Sequence, residues 1–375
     1  MDIYLDNAST TPVFEEVIKQ LPVWTRNFYA NPNSIHKLGQ KVKNEIEKVR
    51  QNIANIINES TENIIFTSGA TESNNTIIKG YIEKTKKREI LISSIEHKSV
   101  LNVAKYLAKK GIKIKFLKVD ENGKIDLDYL KKSLSKETAL ACIIHTNNET
   151  GVKQDIKEIS KILKEHEIPL FSDTVQSFIK EDIDFQDIDF YSVSGHKINS
   201  IKGIGLLVKK KDLSPLIHGG GQENGFRSGT QNVIGILAIG KAIEIWDKNK
   251  EEYKKNLKQL KETFETRIKE EIPDIKIVSE KVERANSISC LIFPKVDAQS
   301  LVISLGRQGV YLSSGSACSS GTPTPSHVLL AYGYSEEEAL KAIRVSFGVF
   351  NSLEEVEESV LKIKKSFEKI YKFSF

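Results

Sequence analysis

Between residues 62 and 209 the chain passes repeatedly from a short apolar run into a helical stretch, and this alternation limits the possible folds more than any other feature. The runs are IIF, EILIS, IKIKFLKV, ALACIIH, IPLFS, DFYSVS and GIGLLV. Most are separated by helical stretches of about 10–15 residues with apolar positions at helical spacing. Such gaps leave room for crossover helices, so the pattern predicts a mostly parallel sheet wrapped by helices. Sheets of that kind bind ligands at the carboxyl ends of their strands. Upstream, residues 13–58 predict two helices with an ordered break at ANPNSIH. Downstream, residues 230–270 read as one long charged helix. It leads into IKIVS, SISCLIF, QSLVISLGRQ, GVYLSSGS and AIRVSF, a smaller α+β unit closed by a C-terminal helix. The expected architecture is α/β, with a large domain over residues 13–250 and a small domain built from 1–12 and 251–375.

Composition narrows the function classes. A chain of 375 residues with 39% hydrophobic and 28% charged residues describes a soluble globular protein. No apolar run is long enough to span a bilayer, and MDIYLDN turns polar too early for a signal peptide. The net charge of +5 arises from 55 basic and 50 acidic residues spread along the chain, so neither nucleic acid nor membrane is an expected partner. The 3 cysteines, Cys142, Cys290 and Cys318, form no CxxC pair and leave one over from any disulfide scheme. No metal site is expected, and a reducing cytoplasm suits the chain.

The chemistry centres on Lys197 in YSVSGHKINSIKGIG, on a turn between two apolar runs. Partial withdrawal from water lowers an amine's pKa and lets it attack a carbonyl. Any one lysine is ordinarily a solvated surface group, so its companions decide the matter. Pyridoxal phosphate asks for a lysine, a carboxylate at its ring nitrogen and an anion site for its phosphate. Asp173 ends the run IPLFSD, with Gln176 after it. In NIIFTSGATESNN a strand runs through Gly69 into a helix start at Ala70 and Thr71, where free N–H groups face an anion. Taken alone, SGATES also reads as an ordinary capped helix. His97, after ILISSIE, is the best-placed proton carrier. His36, His145, His166 and His327 read as structural. Arg344 in AIRVSFG offers a planar fork for an α-carboxylate.

Taken in order, YLDNASTTP, NPNSIH, TSGATESNN, IEHKSV, HTNNETGV, SDTVQ, SGHK, HGGGQENGFRSGTQN, SSGSACSS and RVSFG cover nearly the whole chain. This series resembles the cysteine desulfurases of the NifS/IscS type, in the class V branch of pyridoxal-phosphate enzymes with the aspartate-aminotransferase-like fold (fold type I). One departure is Ser200-Ile201, where the family usually carries Gly-Pro. The resemblance implies that His97 stacks on the cofactor ring and assists proton transfer. It further implies that Asn148 meets the ring hydroxyl together with Gln176, and also the substrate. Ala70, Thr71, Ser194 and His196 carry over as contacts to the cofactor and its phosphate. Thr230 would reach the phosphate held by the other subunit of a homodimer.

Cys318 decides the expected reaction. Cys142 and Cys290 lie in apolar runs and read as core. Cys318 sits among serines, glycines and prolines that cannot pack tightly, so its segment is expected to be mobile enough to carry sulfur. The expected reaction takes sulfur from L-cysteine, leaves L-alanine and forms a persulfide on Cys318. The persulfide would pass to an acceptor, an iron–sulfur scaffold or a tRNA-thiolation enzyme, and Cys318 could transiently ligate a cluster on such a scaffold. Two other classes stay open from the residues alone. One is a related class V enzyme, an aminotransferase or a selenocysteine lyase, and the other is a scaffold protein that keeps the fold without catalysis.

Overall fold

The computed structural model describes residues 2–315 and 324–372. After β1 (Ile3–Tyr4) come α1 (Glu15–Asn27) and α2 (Lys37–Ile57), on either side of the break read from the sequence. α2 buries Val42, Ile46, Ile53 and Ile57 along one side and ends at Asn58, whose φ of 51° is a left-handed value that asparagine tolerates.

Seven strands then form one sheet: β2 (Ile64–Thr67), β3 (Glu89–Ser93), β4 (Lys113–Leu117), β5 (Thr138–Cys142), β6 (Leu170–Asp173), β7 (Phe190–Ser194) and β8 (Gly205–Lys209). Their spatial order is β2-β8-β7-β6-β5-β3-β4. Neighbours from β7 to β4 run parallel, and β8 is antiparallel to both β7 and β2. Crossovers use α3 (Ala70–Lys84), α4 (Lys98–Ala108), α5 (Leu127–Ser133) and α6 (Ile156–Lys164).

Side chains alternate between the two faces of a strand, so both faces must be apolar for such a sheet to be buried. Ile90, Ile92, Leu140, Cys142, Phe171 and Phe190 pack on one side with Ile77 and Ile78 of α3 and Val100 and Val103 of α4. Their strand neighbours Leu91, Ala141, Ile143, Leu170, Tyr191 and Val193 pack on the other with Ile159 and Leu163 of α6. With both faces apolar, polar side chains collect where the strands end.

The stretch expected to be one charged helix is two, α7 (Val233–Lys248) and α8 (Lys250–Glu271), meeting at Asn249. The Asn249 amide donates to the Ile245 carbonyl at 2.7 Å and closes the last turn of α7 from the side chain. α7 is largely apolar and buries Ile236, Ile239, Ile243 and Trp246, whereas α8 is charged and buries only a stripe including Leu257, Leu260, Phe264 and Ile268. Averaging the two hides both characters.

The remaining elements are β9 (Lys276–Ile277), β10 (Ile288–Ile292), α9 (Ala298–Gly306), β11 (Val310–Tyr311), β12 (Ser313–Ser314), α10 (His327–Ala331), α11 (Glu336–Leu340), β13 (Ala342–Ser346) and α12 (Leu353–Tyr371). An antiparallel sheet runs β12-β13-β10-β9. β1 pairs in parallel with β11, and Asp6 bridges to Ser346. Residues beyond that bridge cross to the larger sheet, where the Thr11 amide donates to the His196 carbonyl at 2.9 Å. The N-terminal segment therefore touches both sheets.

A buried ion pair ties the glycine-rich loop before α7 to the sheet edge. Arg50 of α2 donates to both oxygens of Glu223, at 2.9 and 3.0 Å, and to the Ile64 carbonyl at 2.6 Å. Glu223 also accepts the Phe66 amide at 2.9 Å. Arg50→Met would leave the Glu223 charge buried without its partner, which is expected to cost about 3–5 kcal/mol. Urea unfolding monitored by circular dichroism measures this; a loss below about 1 kcal/mol would mean that the pair does not anchor the loop.

Candidate active site

A cavity of about 570 Å³ opens at the carboxyl ends of β3, β6 and β7. It is lined by Lys197, Asp173, His97, Gln176, Ser194, His196, Asn148, Ala70, Thr71 and Arg344, so ten of the twelve candidate residues meet in one place. Thr230 stands outside it. That residue is exposed and lines a separate cavity of about 180 Å³, which shares Ser68 and Gly203 with the large one. Cys318 lies outside the described residues.

Lys197 is placed by a short helical turn, Gly195–Lys197, that follows β7 directly. Gly195 is needed there, since a Cβ would lie 2.9 Å from Ile204 Cγ2 and 3.1 Å from the Ile204 carbonyl. Although Gly-Pro is replaced by Ser200-Ile201, the turn closes: the Ser200 amide donates to the Gly195 carbonyl at 3.0 Å. Asn199 adopts a φ of 62° and is held by Trp246 and by the Pro12 carbonyl. The Lys197 amine donates to the carbonyls of Ala8 at 2.7 Å and Ser9 at 2.5 Å. Burial, then the neighbouring charges of Arg344 and Lys180, bring its pKa down to about 7, with Asp6 and Asp173 opposing.

Asp173 ends β6 and is 4% exposed. One carboxylate oxygen accepts the Val175 amide at 3.0 Å and the other the Asn74 side chain at 3.1 Å. Asn74 also donates to Ser99 Oγ at 2.8 Å, and Ser99 Oγ lies 2.8 Å from His97 Nδ1. A chain of hydrogen bonds thus joins the carboxylate to the imidazole. The Ser99 amide donates to His97 Nδ1 at 3.1 Å, which assigns the proton of the neutral ring to Nε2. The ring is open to the cavity, yet the surrounding walls still disfavour its charged form; Asp173 opposes this shift, and Lys197 adds to it.

The sequence reading missed Asn74 and Ser99. The first lies inside TSGATESNN on the buried side of α3 and the second two residues after His97, so proximity to motifs was the available signal. Glu96 was missed too. It is fully buried, accepts the Ile144 amide at 2.5 Å, and has its pKa pushed up to about 8 by burial and then by Asp173.

At the anion end, no side chain caps α3 at Gly69, so its N-terminal amides face the cavity. Gly205 of β8 permits the close approach, because a Cβ there would fall 2.6 Å from Gly69 Cα. Glu72 is an acid beside this end, offset by Arg227 Nε at 3.0 Å. Burial, followed by Lys197, lowers the His196 pKa to about 4, so the imidazole is neutral. At the far end, Arg344 of β13 donates to the Asn148 carbonyl at 2.9 Å, Asp6 at 2.7 Å and Ser9 Oγ at 2.6 Å.

Cys142 and Cys290 are buried in β5 and β10, as read from the sequence. Burial raises the pKa of both thiols, that of Cys290 to about 12. The amine, the carboxylate and the uncapped helix on one cavity fit the requirements of pyridoxal phosphate. Among the described residues no cluster suits a metal ion, and no helix is long and apolar enough to cross a membrane.

A sequence model of the family described as Aminotransferase class-V matches residues 3–358. The cysteine desulfurase IscS of Dictyoglomus turgidum is 38% identical, covering 98% of this chain and 95% of the relative. That of Rickettsia typhi is 39% identical, covering 100% and 93%. A solved NifS-like protein superimposes with a TM-score of 0.91 at 34% identity, over 97% of this chain and 99% of its own.

The state of Lys197 can be read from stability. With a folded pKa of about 7, the folded chain binds fewer protons than the unfolded chain between there and the ordinary value of about 10.4. Stability contributed by this group therefore rises with pH through that window. In cofactor-free protein, the stability of wild type relative to Lys197→Met should improve between about pH 7 and about pH 9. A difference that stays flat in urea titrations would mean that the amine is not depressed.

Proposed function

This chain belongs to the aminotransferase class-V family, and from that premise we propose that it is a pyridoxal-phosphate-dependent cysteine desulfurase. The observation that carries the reading is the meeting of Lys197, Asp173 and Arg344 on one cavity. The two relatives, each named a cysteine desulfurase, support L-cysteine as the substrate.

When bound, pyridoxal phosphate supplies a carbonyl carbon for an amine and a ring that withdraws electron density from a substrate's α-carbon. Lys197 would hold the cofactor: at about 7 its pKa leaves a large neutral fraction of amine at physiological pH. Asp173, oriented by Asn74 and Val175, would keep a proton on the ring nitrogen. The amides at the start of α3, with Thr71, Ser194 and His196, would take the phosphate. Thr230, exposed in one chain, would complete that site in the partner of a homodimer. Arg344 would orient the substrate's α-carboxylate beside Asn148, and Gln176 would face the ring hydroxyl with it. His97 and Lys197 would move protons at the α-carbon and its neighbour.

Sulfur transfer falls to Cys318. Its thiolate attacks the substrate's sulfur: an S–S bond forms, the C–S bond breaks, and the electron pair left on carbon takes a proton to give alanine. The persulfide then passes to an acceptor thiol on an iron–sulfur scaffold or a tRNA-thiolating enzyme. Cys142 and Cys290 are poor alternatives, since burial keeps both as neutral thiols. On this reading residues 13–250 carry the cofactor, residues 1–12 and 251–375 carry the sulfur relay, and the enzyme works in a reducing cytoplasm.

Cys318→Ser is expected to keep the cofactor's visible absorbance and to lose alanine formation from cysteine by about a hundredfold or more, because a serine hydroxyl cannot accept sulfur. Full activity in this variant, or a persulfide trapped by alkylation on Cys142 or Cys290, would reject the relay. Asp173→Asn should retain cofactor and lose about 10²–10⁴-fold in turnover. Normal turnover would mean that another group serves the ring nitrogen.

A further inference from the structure

Arg344 commits its donors unevenly. Nη2 donates to Asp6 Oδ1 at 2.7 Å and to Ser9 Oγ at 2.6 Å, Nη1 donates to the Asn148 carbonyl at 2.9 Å, and the buried Nε has no partner. A carboxylate grips a guanidinium at two points through Nη1 with Nη2 or through Nε with Nη2. Nη2 belongs to both edges, and each of its hydrogens is already taken. While Asp6 and Ser9 keep their places, neither edge is open.

The three residues form a closed triangle, since the Ser9 hydroxyl donates in turn to Asp6 Oδ1 at 2.8 Å. Within it Asp6 is the member able to yield. The Arg344 side chain keeps 9% of its surface, in a strand paired on both sides, whereas the Asp6 side chain keeps 23%. The turn that carries Asp6 also supplies the two carbonyls that hold the Lys197 amine. In the free protein one turn therefore supplies partners to both Lys197 and Arg344.

We propose that Asp6 is an internal stand-in for the substrate's α-carboxylate: it occupies the arginine edge in the free protein and is displaced when a carboxylate ligand docks. This rests on the reading that Arg344 receives the substrate's carboxylate. Its consequence is a penalty confined to carboxylates, because an anion arriving at Arg344 must break the existing pair and meets a like charge while doing so. Asp6 thereby sets how strongly carboxylates bind relative to other ligands. It is a positioning and specificity residue that takes no part in bond breaking.

Two probes separate this from a general loss of order. Propionate has the carboxylate without an amine, and cysteamine has the amine and thiol without a carboxylate. In the holoenzyme, Asp6→Asn is expected to tighten competitive inhibition by propionate about tenfold, while cysteamine affinity, read from the visible absorbance change, moves by less than about twofold. Ser9→Ala frees one Nη2 hydrogen, and it should shift propionate the same way by a smaller factor. Should Asp6→Asn fail to fold, Ser9→Ala decides alone. Propionate binding that is unchanged or weaker in the folded variants, or an equal shift for cysteamine, would overturn the proposal. Arg344→Met tests the underlying reading: unchanged propionate inhibition there would remove both the receptor and the proposal. Loss of inhibition in Arg344→Met with no gain in Asp6→Asn would overturn the proposal alone.

Discussion

Withdrawing the Lys197 amine from water is the constraint on which the rest of the structure depends. Desolvation is the largest influence lowering its pKa, and the charges of Arg344 and Lys180 push the same way. Asp6 and Asp173 push back, and the Ala8 and Ser9 carbonyls give the amine defined partners. The outcome is a pKa of about 7, where both protonation states are accessible at physiological pH. Holding that balance requires several charged groups within a small volume, each fixed by the fold.

The sheet provides the fixing. Because β3, β5, β6 and β7 are buried along their length, their ends are the places where polar side chains can gather without an unsatisfied core. β7 delivers Ser194 and the turn to Lys197, β6 delivers Asp173, and β3 leads to His97. The opposite wall comes from β13 with Arg344, and the segment after β1 lies between the two. Asp6 and Ser9 on that segment contact Arg344 by side chain, and the Ala8 and Ser9 carbonyls accept from the Lys197 amine, so the two walls are coupled through a few N-terminal residues.

Much of this was legible in the sequence, because the fold relies on local signals. Each of the seven apolar runs is a strand, Asp173 ends one of them, and Lys197 and His97 follow strands at turn-like residues. What could not be read depends on contacts between distant residues or on side-chain detail. The break at Asn249 rests on one amide reaching back to Ile245, which charge averaging over 230–270 conceals. The link from Asp173 through Asn74 and Ser99 to His97 joins three segments, and nothing in periodicity pairs them. Asp6 lies 338 positions from Arg344 in sequence. Thr230 shows the same limit from the other side, since its loop is legible while the partner surface proposed for it is not.

The central claim is that one amine, Lys197, is the covalent anchor for the cofactor, and trapping the bond tests it directly. Purified protein carrying its cofactor would be reduced with borohydride, digested and mapped by mass spectrometry. The account predicts a reduced pyridoxyl-phosphate adduct on the peptide containing Lys197 and no comparable adduct elsewhere. An adduct on another lysine, the buried Lys180 included, or no adduct on a protein that shows the cofactor's absorbance, would contradict it.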